Sequence, residues 1–177
     1  MAWKITIKGA KEATAAVQAA IRAGMRDGLE VAGQVGKGFV QEFIRTPLFG
    51  KPAAYATGIM HDAIAAEFQG APAEGIFGRE VIFAQPPADQ YAEYVETGTR
   101  PHMPPVKALL LWVKLKFGAQ DEKSALGIAW AVAKTIAKRG TQGHWMFARA
   151  FRRLEPMLQG ILERGIGGAL ERAGVGK

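Results

Sequence analysis

Cysteine is absent from all 177 residues, which excludes a disulfide framework and a thiolate metal site and suits assembly in a reducing cytoplasm. Serine is nearly absent too. Ser124 is the only one, and neither a Gly-x-Ser-x-Gly elbow nor a phosphate-cradling glycine loop with its lysine occurs. That removes most serine chemistry. No stretch approaches the roughly 18 uncharged apolar residues of a membrane span. Residues 1–5 lack the apolar run of a signal peptide. The chain is therefore expected to be soluble where it is made, with no membrane partner and no cofactor.

What is present fits one domain with a real core: 49% apolar and 22% charged residues are ordinary for a globular protein. The net charge of +7 is unevenly placed. Residues 1–46 carry +3, residues 47–133 carry −2 and residues 134–177 carry +6. A basic C-terminal quarter attracts phosphate or keeps a surface soluble, and its charges are spread along helical faces rather than packed into one run.

Trp3, Ile5 and Ile7 alternate with polar residues, the period of a half-buried strand. Over residues 11–45 the steps between Val17, Ile21, Met25, Leu29, Ala32, Phe39 and Phe43 are three, four or seven, which is one face of a long helix. Thr46-Pro47 ends it. Gly24, Gly28, Gly33, Gly36 and Gly38 lie inside this helix, each costing about 0.8–1.0 kcal/mol relative to alanine. Either packing within the chain offsets them, or Gly24 and Gly28 let a neighbouring chain approach closely. A loop over 47–56 and two extended segments, over 63–68 and 75–84, follow.

Residues 91–96 form a short amphipathic piece, with Tyr91, Tyr94 and Val95 packing one side and Glu93 and Glu96 facing outward. Pro104-Pro105 opens a helix with Val106, Leu109, Leu110, Val113 and Phe117 as its apolar positions, and Gly118 ends it. Asp121 caps the next helix, whose last turn carries Lys138 and Arg139 before Gly140. A final helix over 144–173 is expected to kink at Pro156. The expected architecture is α+β: a long N-terminal helix packed on a small antiparallel sheet, with a C-terminal helical set. It is read as a single domain over 1–177, with the long helix and sheet in 1–104 and a helical extension in 105–177.

His102 and His144 share a frame, Gly98-Thr99-x-x-His102 and Gly140-Thr141-x-x-His144. With Glu96 they could ligate zinc, but ligands so far apart in sequence suit turn or helix-start histidines better, so no metal site is expected. Gly98 permits a backbone conformation closed to other residues. Arg100-Pro101-His102, pinned by Pro104-Pro105, can present a cation and an imidazole to a neighbour or simply form a structural corner.

The segment YAEYVETGT (residues 91–99) followed by RPHMPP (residues 100–105) resembles a signature of bacteriophage tail-completion and head–tail joining (neck) proteins. The pattern continues in order with Thr57-Gly58 before it, and after it Leu109-x-x-Trp112-Val113, Lys116-x-Gly118, Ile128-Ala129, Arg139-Gly140-Thr141 and Phe147-x-x-Ala150. The resemblance implies a non-enzymatic virion component made in the host cytoplasm and carried in several copies at the head-proximal end of the tail. Its implied partners are other copies in a ring, tail-tube and head-connector proteins, and non-specific genomic DNA in the channel. In such a ring Arg149 and Arg153 either line the DNA path or pair with Glu93 or Glu96 of a neighbouring copy. Two rival readings are a basic nucleic-acid-binding protein, drawing on Trp130, Trp145 and Arg149, and a small hydrolase or toxin-like enzyme using Glu96 and His102.

Overall fold

A 31-residue helix, α1 (Ala15–Arg45), dominates the first part of the chain. It stops where expected. Thr46 turns its hydroxyl back onto the Glu42 carbonyl at 2.8 Å, and Pro47 cannot continue the ladder. The computed structural model describes residues 15–47, 57–70, 78–119 and 121–175. The strand expected over residues 3–8 and most of the loop over 47–56 lie outside them.

The chain continues as α2 (Ile59–Asp62), β1 (Ile64–Gly70), β2 (Gly78–Ala84), α3 (Asp89–Thr97), β3 (Gly98–Thr99), α4 (Val106–Phe117) and α5 (Glu122–Arg139). It closes with β4 (Thr141–Gln142), α6 (Met146–Leu154), a 3-10 turn at Glu155–Met157 and α7 (Leu158–Arg172). The fold is α+β, as expected: a long helix, a small two-stranded antiparallel sheet of β1 and β2, and C-terminal helices. Pro156 falls in the 3-10 turn, so the expected kink is a full break between α6 and α7. Among the described residues no helix is long and apolar enough to cross a membrane.

The residues gather into two compact units. One comprises α1 through Val35, the strand residues from Ala66 to Val81, and the chain from Leu154. Here α7 lies against the glycine face of α1. A Cβ on Gly24 would stand 2.5 Å from the Ile166 Cα, and one on Gly28 would stand 3.1 Å from the Leu162 Cα. The close approach those glycines permit is thus made by α7 of the same chain, and both are buried. Of the two readings open for these glycines, packing within the chain accounts for the close approach at Gly24 and Gly28. The lost helix propensity is offset by helix-on-helix packing around Ala20, Met25, Ile161 and Ala169, with Arg172 Nη2 paired to Asp27 Oδ2 at 2.7 Å across it.

The other unit comprises Gly36–Ala65 and Ile82–Arg153. Its core joins Val40 and Ile44 of α1, Met60, Ile64, Ala88 and Ala92, and Met146 and Ala150 of α6. Tyr91 and Val95 border this core, whereas Tyr94 is 58% exposed. The buried arc of α3 therefore runs through Ala88, Ala92, Tyr91 and Val95, and leaves Tyr94 outside it.

α4 and α5 form a hairpin around a small core of their own, Val113, Ala125 and Ala129. Its ends obey local rules. Asp121 Oδ1 accepts from the Ser124 amide at 2.8 Å, and Gly118 takes the left-handed cap with φ 64°.

Candidate functional site

The Gly-Thr motifs meet. β3 and β4 pair antiparallel, with Gly98 opposite Gln142 and Thr99 opposite Thr141. The Thr99 and Thr141 hydroxyls lie 3.0 Å apart, and each also accepts from the other residue's amide, at 3.0 and 3.2 Å. Gly98 has φ 84°, and a Cβ there would run into the Thr141 carbonyl oxygen and stand 2.7 Å from the Gly143 nitrogen. Only glycine lets the two segments approach so closely.

This clasp positions the next helix. The His144 and Trp145 amides donate to the Val95 and Glu96 carbonyls at 2.8 and 3.0 Å. The Glu96 carboxylate then accepts from the Phe147 amide through Oε2 at 2.9 Å and from the Ala148 amide through Oε1 at 3.0 Å. Glu96 is thus the N-terminal cap of α6, supplied from 51 residues away. Two otherwise orphaned amides are satisfied, and a negative charge sits at the positive end of the helix. The expectation that Glu96 faces outward is corrected: it is half-buried, and only Glu93 is exposed. Trp145, just before the helix, is held at φ 52° and is 48% exposed.

His102 and Arg100 are exposed, and the His102 Nδ1 donates to the Arg100 carbonyl at 2.9 Å. The residues of the hydrolase reading therefore have separate partners, Glu96 the α6 amides and His102 a backbone carbonyl. Among the described residues no three His, Cys, Asp or Glu side chains come together to hold a metal ion.

Arg149 and Arg153 turn toward α1. Arg153 Nη1 lies 2.8 Å from both oxygens of Glu42, and its guanidinium sits 4.3 Å from the Phe39 ring centroid. The Arg149 guanidinium lies 4.1 Å from the Phe43 centroid. Within the chain, then, Arg153 already has an acidic partner, Glu42. An Arg over an aromatic face gains cation–π attraction as well as contact area.

Two surfaces were not anticipated. The first is a cleft of about 710 Å³ in the first unit, where Val31, Val35, Ala66 and Phe68 sit among Glu30, Glu67 and Glu80. Gly33 lacks a side chain where the Glu80 carboxyl lies, since a Cβ there would collide with it. Glu80 Oε2 is buried without a hydrogen-bond partner among the described residues. Burial, and then the charges of Glu30 and Glu67, push this carboxyl up to about 7. No sequence signal marks Glu80, because its environment is assembled from α1, β1 and β2.

The second is the exposed apolar surface of the α4–α5 hairpin. Leu111 and Leu115 are 60% and 52% exposed, and Leu126 and Trp130 on α5 are 40% and 46% exposed. Phe117, one of the apolar positions of α4, is 56% exposed. A signal for this surface was available: residues 109–113 are apolar without interruption, so α4 is apolar on more sides than one partner helix can cover. Set against known protein families, curated proteins and solved structures, the chain matches none of them.

Proposed function

We propose that this chain is a structural virion subunit of a tailed bacteriophage, a neck or tail-completion protein acting in several copies at the head-proximal end of the tail. The observation that supports the reading is the clasp. The residues that carry the resemblance, Glu96-Thr97-Gly98-Thr99 and Arg139-Gly140-Thr141, meet in space and hold α6 in place. Glu96 accepts from backbone amides, Thr99 and Thr141 bond each other, and Thr97 donates back to the backbone of its own helix. A motif used this way organises a scaffold on which contacts with other proteins are displayed, and that is the work of a joining subunit rather than of a catalyst. Its partners in this reading are further copies of itself, the tail tube and the head connector, with genomic DNA passing nearby.

Deleting the gene from the phage genome that encodes it tests the reading. Electron microscopy of the lysate should show DNA-filled heads and separate tails, with infectivity restored by supplying the chain in trans. Intact infectious particles at wild-type yield would refute it.

A further inference from the structure

The α4–α5 hairpin and the Glu80 cleft are complementary in charge and in polarity. Residues 106–139 contain seven Lys or Arg and two Asp or Glu, a net +5. On α4 the exposed Leu111 and Leu115 are flanked by exposed Lys107 and Lys114, at steps of three and four that put them on one helix face. The cleft offers the converse: an apolar lining of Val31, Val35 and Phe68 among Asp27, Glu30, Glu67 and Glu80, with Arg26 as its one cation among the lining residues, paired to Glu30. Its buried Glu80 Oε2 has no donor among the described residues. A buried acceptor without a donor is expensive, and a cation brought by a partner removes that cost.

We propose that the α4–α5 hairpin of one copy docks in the Glu80 cleft of the next, so that copies join head to tail. This rests on the multi-copy reading above and names its contact. A hairpin-to-hairpin contact would face one net +5 surface with another, and like charges oppose that. A nucleic acid would pair with the lysines but leave Leu111 and Leu115 in water. An anionic membrane would accept both lysines and leucines, yet it would leave the Glu80 cleft unfilled. A second copy accounts for both surfaces at once, through a heterologous contact that closes into a ring or runs on as a filament.

The test uses two full-length variants and light scattering after size exclusion. The hairpin variant is Leu111→Glu with Lys114→Glu; the cleft variant is Glu67→Lys with Glu80→Lys. Because Glu80 is half-buried, Glu67→Lys alone is a second cleft variant, and circular dichroism melts confirm that each is folded. Wild type should run as a multiple of 19.0 kDa and each variant alone at 19.0 kDa. An equimolar mixture of the two should give a species of twice 19.0 kDa and nothing larger, because one intact hairpin and one intact cleft remain. Wild-type assembly by both variants, or a mixture that stays at 19.0 kDa, overturns the docking. So does a wild-type chain still monomeric at about 1 mM, the weak end of specific affinity. In that case, pelleting with phosphatidylglycerol vesicles or retention of duplex DNA, lost in the hairpin variant, would assign the face to a membrane or to nucleic acid instead. The gene-deletion phenotype reads the virion role separately, so the docking can fail while that role stands.

Discussion

Replacing Glu96 tests whether the clasp is what organises the C-terminal helices. Its two carboxylate oxygens accept from the Phe147 and Ala148 amides at 2.9 and 3.0 Å, at the start of a helix that puts Met146 and Ala150 into the core. Removing a capping side chain costs about 0.5–2 kcal/mol, and losing a negative charge at a partly buried helix N-terminus adds about 0.3–1 kcal/mol or somewhat more. Glu96→Ala should therefore destabilise by about 2–3 kcal/mol, since it also strands two amides. For a chain of this length that lowers the melting temperature by roughly 5–10 °C. Glu96→Gln keeps one accepting oxygen and loses the charge, so about half that effect is expected. Urea denaturation gives the free energies, and hydrogen exchange at the Phe147 and Ala148 amides shows where the opening occurs. Glu93→Ala, three residues away and exposed, is the control and should stay within about 0.5 kcal/mol of wild type. If Glu96→Ala also stays within about 0.5 kcal/mol, the carboxylate does not hold α6 and the reasoning fails.

Gly98→Val should cost about 3 kcal/mol, because a positive φ and a collision with the Thr141 carbonyl act together; an unchanged urea midpoint would refute this. Gly24→Leu should lower the melting temperature, by about 1–3 kcal/mol of overpacking against Ile166, and the effect should persist at protein concentrations where the chain is monomeric. Glu80 carries the pH dependence. Its folded pKa, about 7, lies above the ordinary 4.5, so folding favours the protonated form and stability falls as pH rises from about 4.5 to about 7. Discounted for the solvent that reaches the cleft, the loss is about 1 kcal/mol. Glu80→Gln should match wild type near pH 4.5 and exceed it by that amount at pH 8, and identical denaturation profiles at both pH values would contradict the burial of this carboxyl.

The parts of the fold that were legible in the sequence are those decided within a few residues. Pro105 before α4, Gly118 after it and the Asp121 cap on α5 each act on their own turn of chain and were placed correctly, and Pro156 does interrupt the last helix, though as a break rather than the expected kink. Periodicity located α1 and placed Met25 and Ala32 on its buried side, but not Ala20, Val40 or Ile44. It could not say what covers a face. Gly24 and Gly28 do mark a close approach, but their partner, α7, lies more than 130 residues later, so the sequence alone left a neighbouring copy open. Glu96 looked outward by its position on α3, because its partners are amides 51 and 52 residues away. The in-chain partner of Arg153, Glu42, lies 111 residues back and left no local signal. Tyr94 failed for a simpler reason: a nine-residue helix buries a narrow arc, and small Ala88 and Ala92 take the place that a large aromatic seemed to claim.

The pairing of Thr99 with Thr141 has a consequence for how such a chain can diversify. It knots the two ends of residues 100–140 together, so whatever hangs between them is a tethered pendant with its own interior, Val113, Ala125 and Ala129. Doubling the length of a loop whose ends are already joined costs only about 0.6 kcal/mol. Insertions, deletions or a wholesale exchange of this pendant would leave the knot and the capped helix beyond it undisturbed. Lineages could trade one pendant for another, with new length, new charge and new apolar studs, and so change what they grip while inheriting the same foundation.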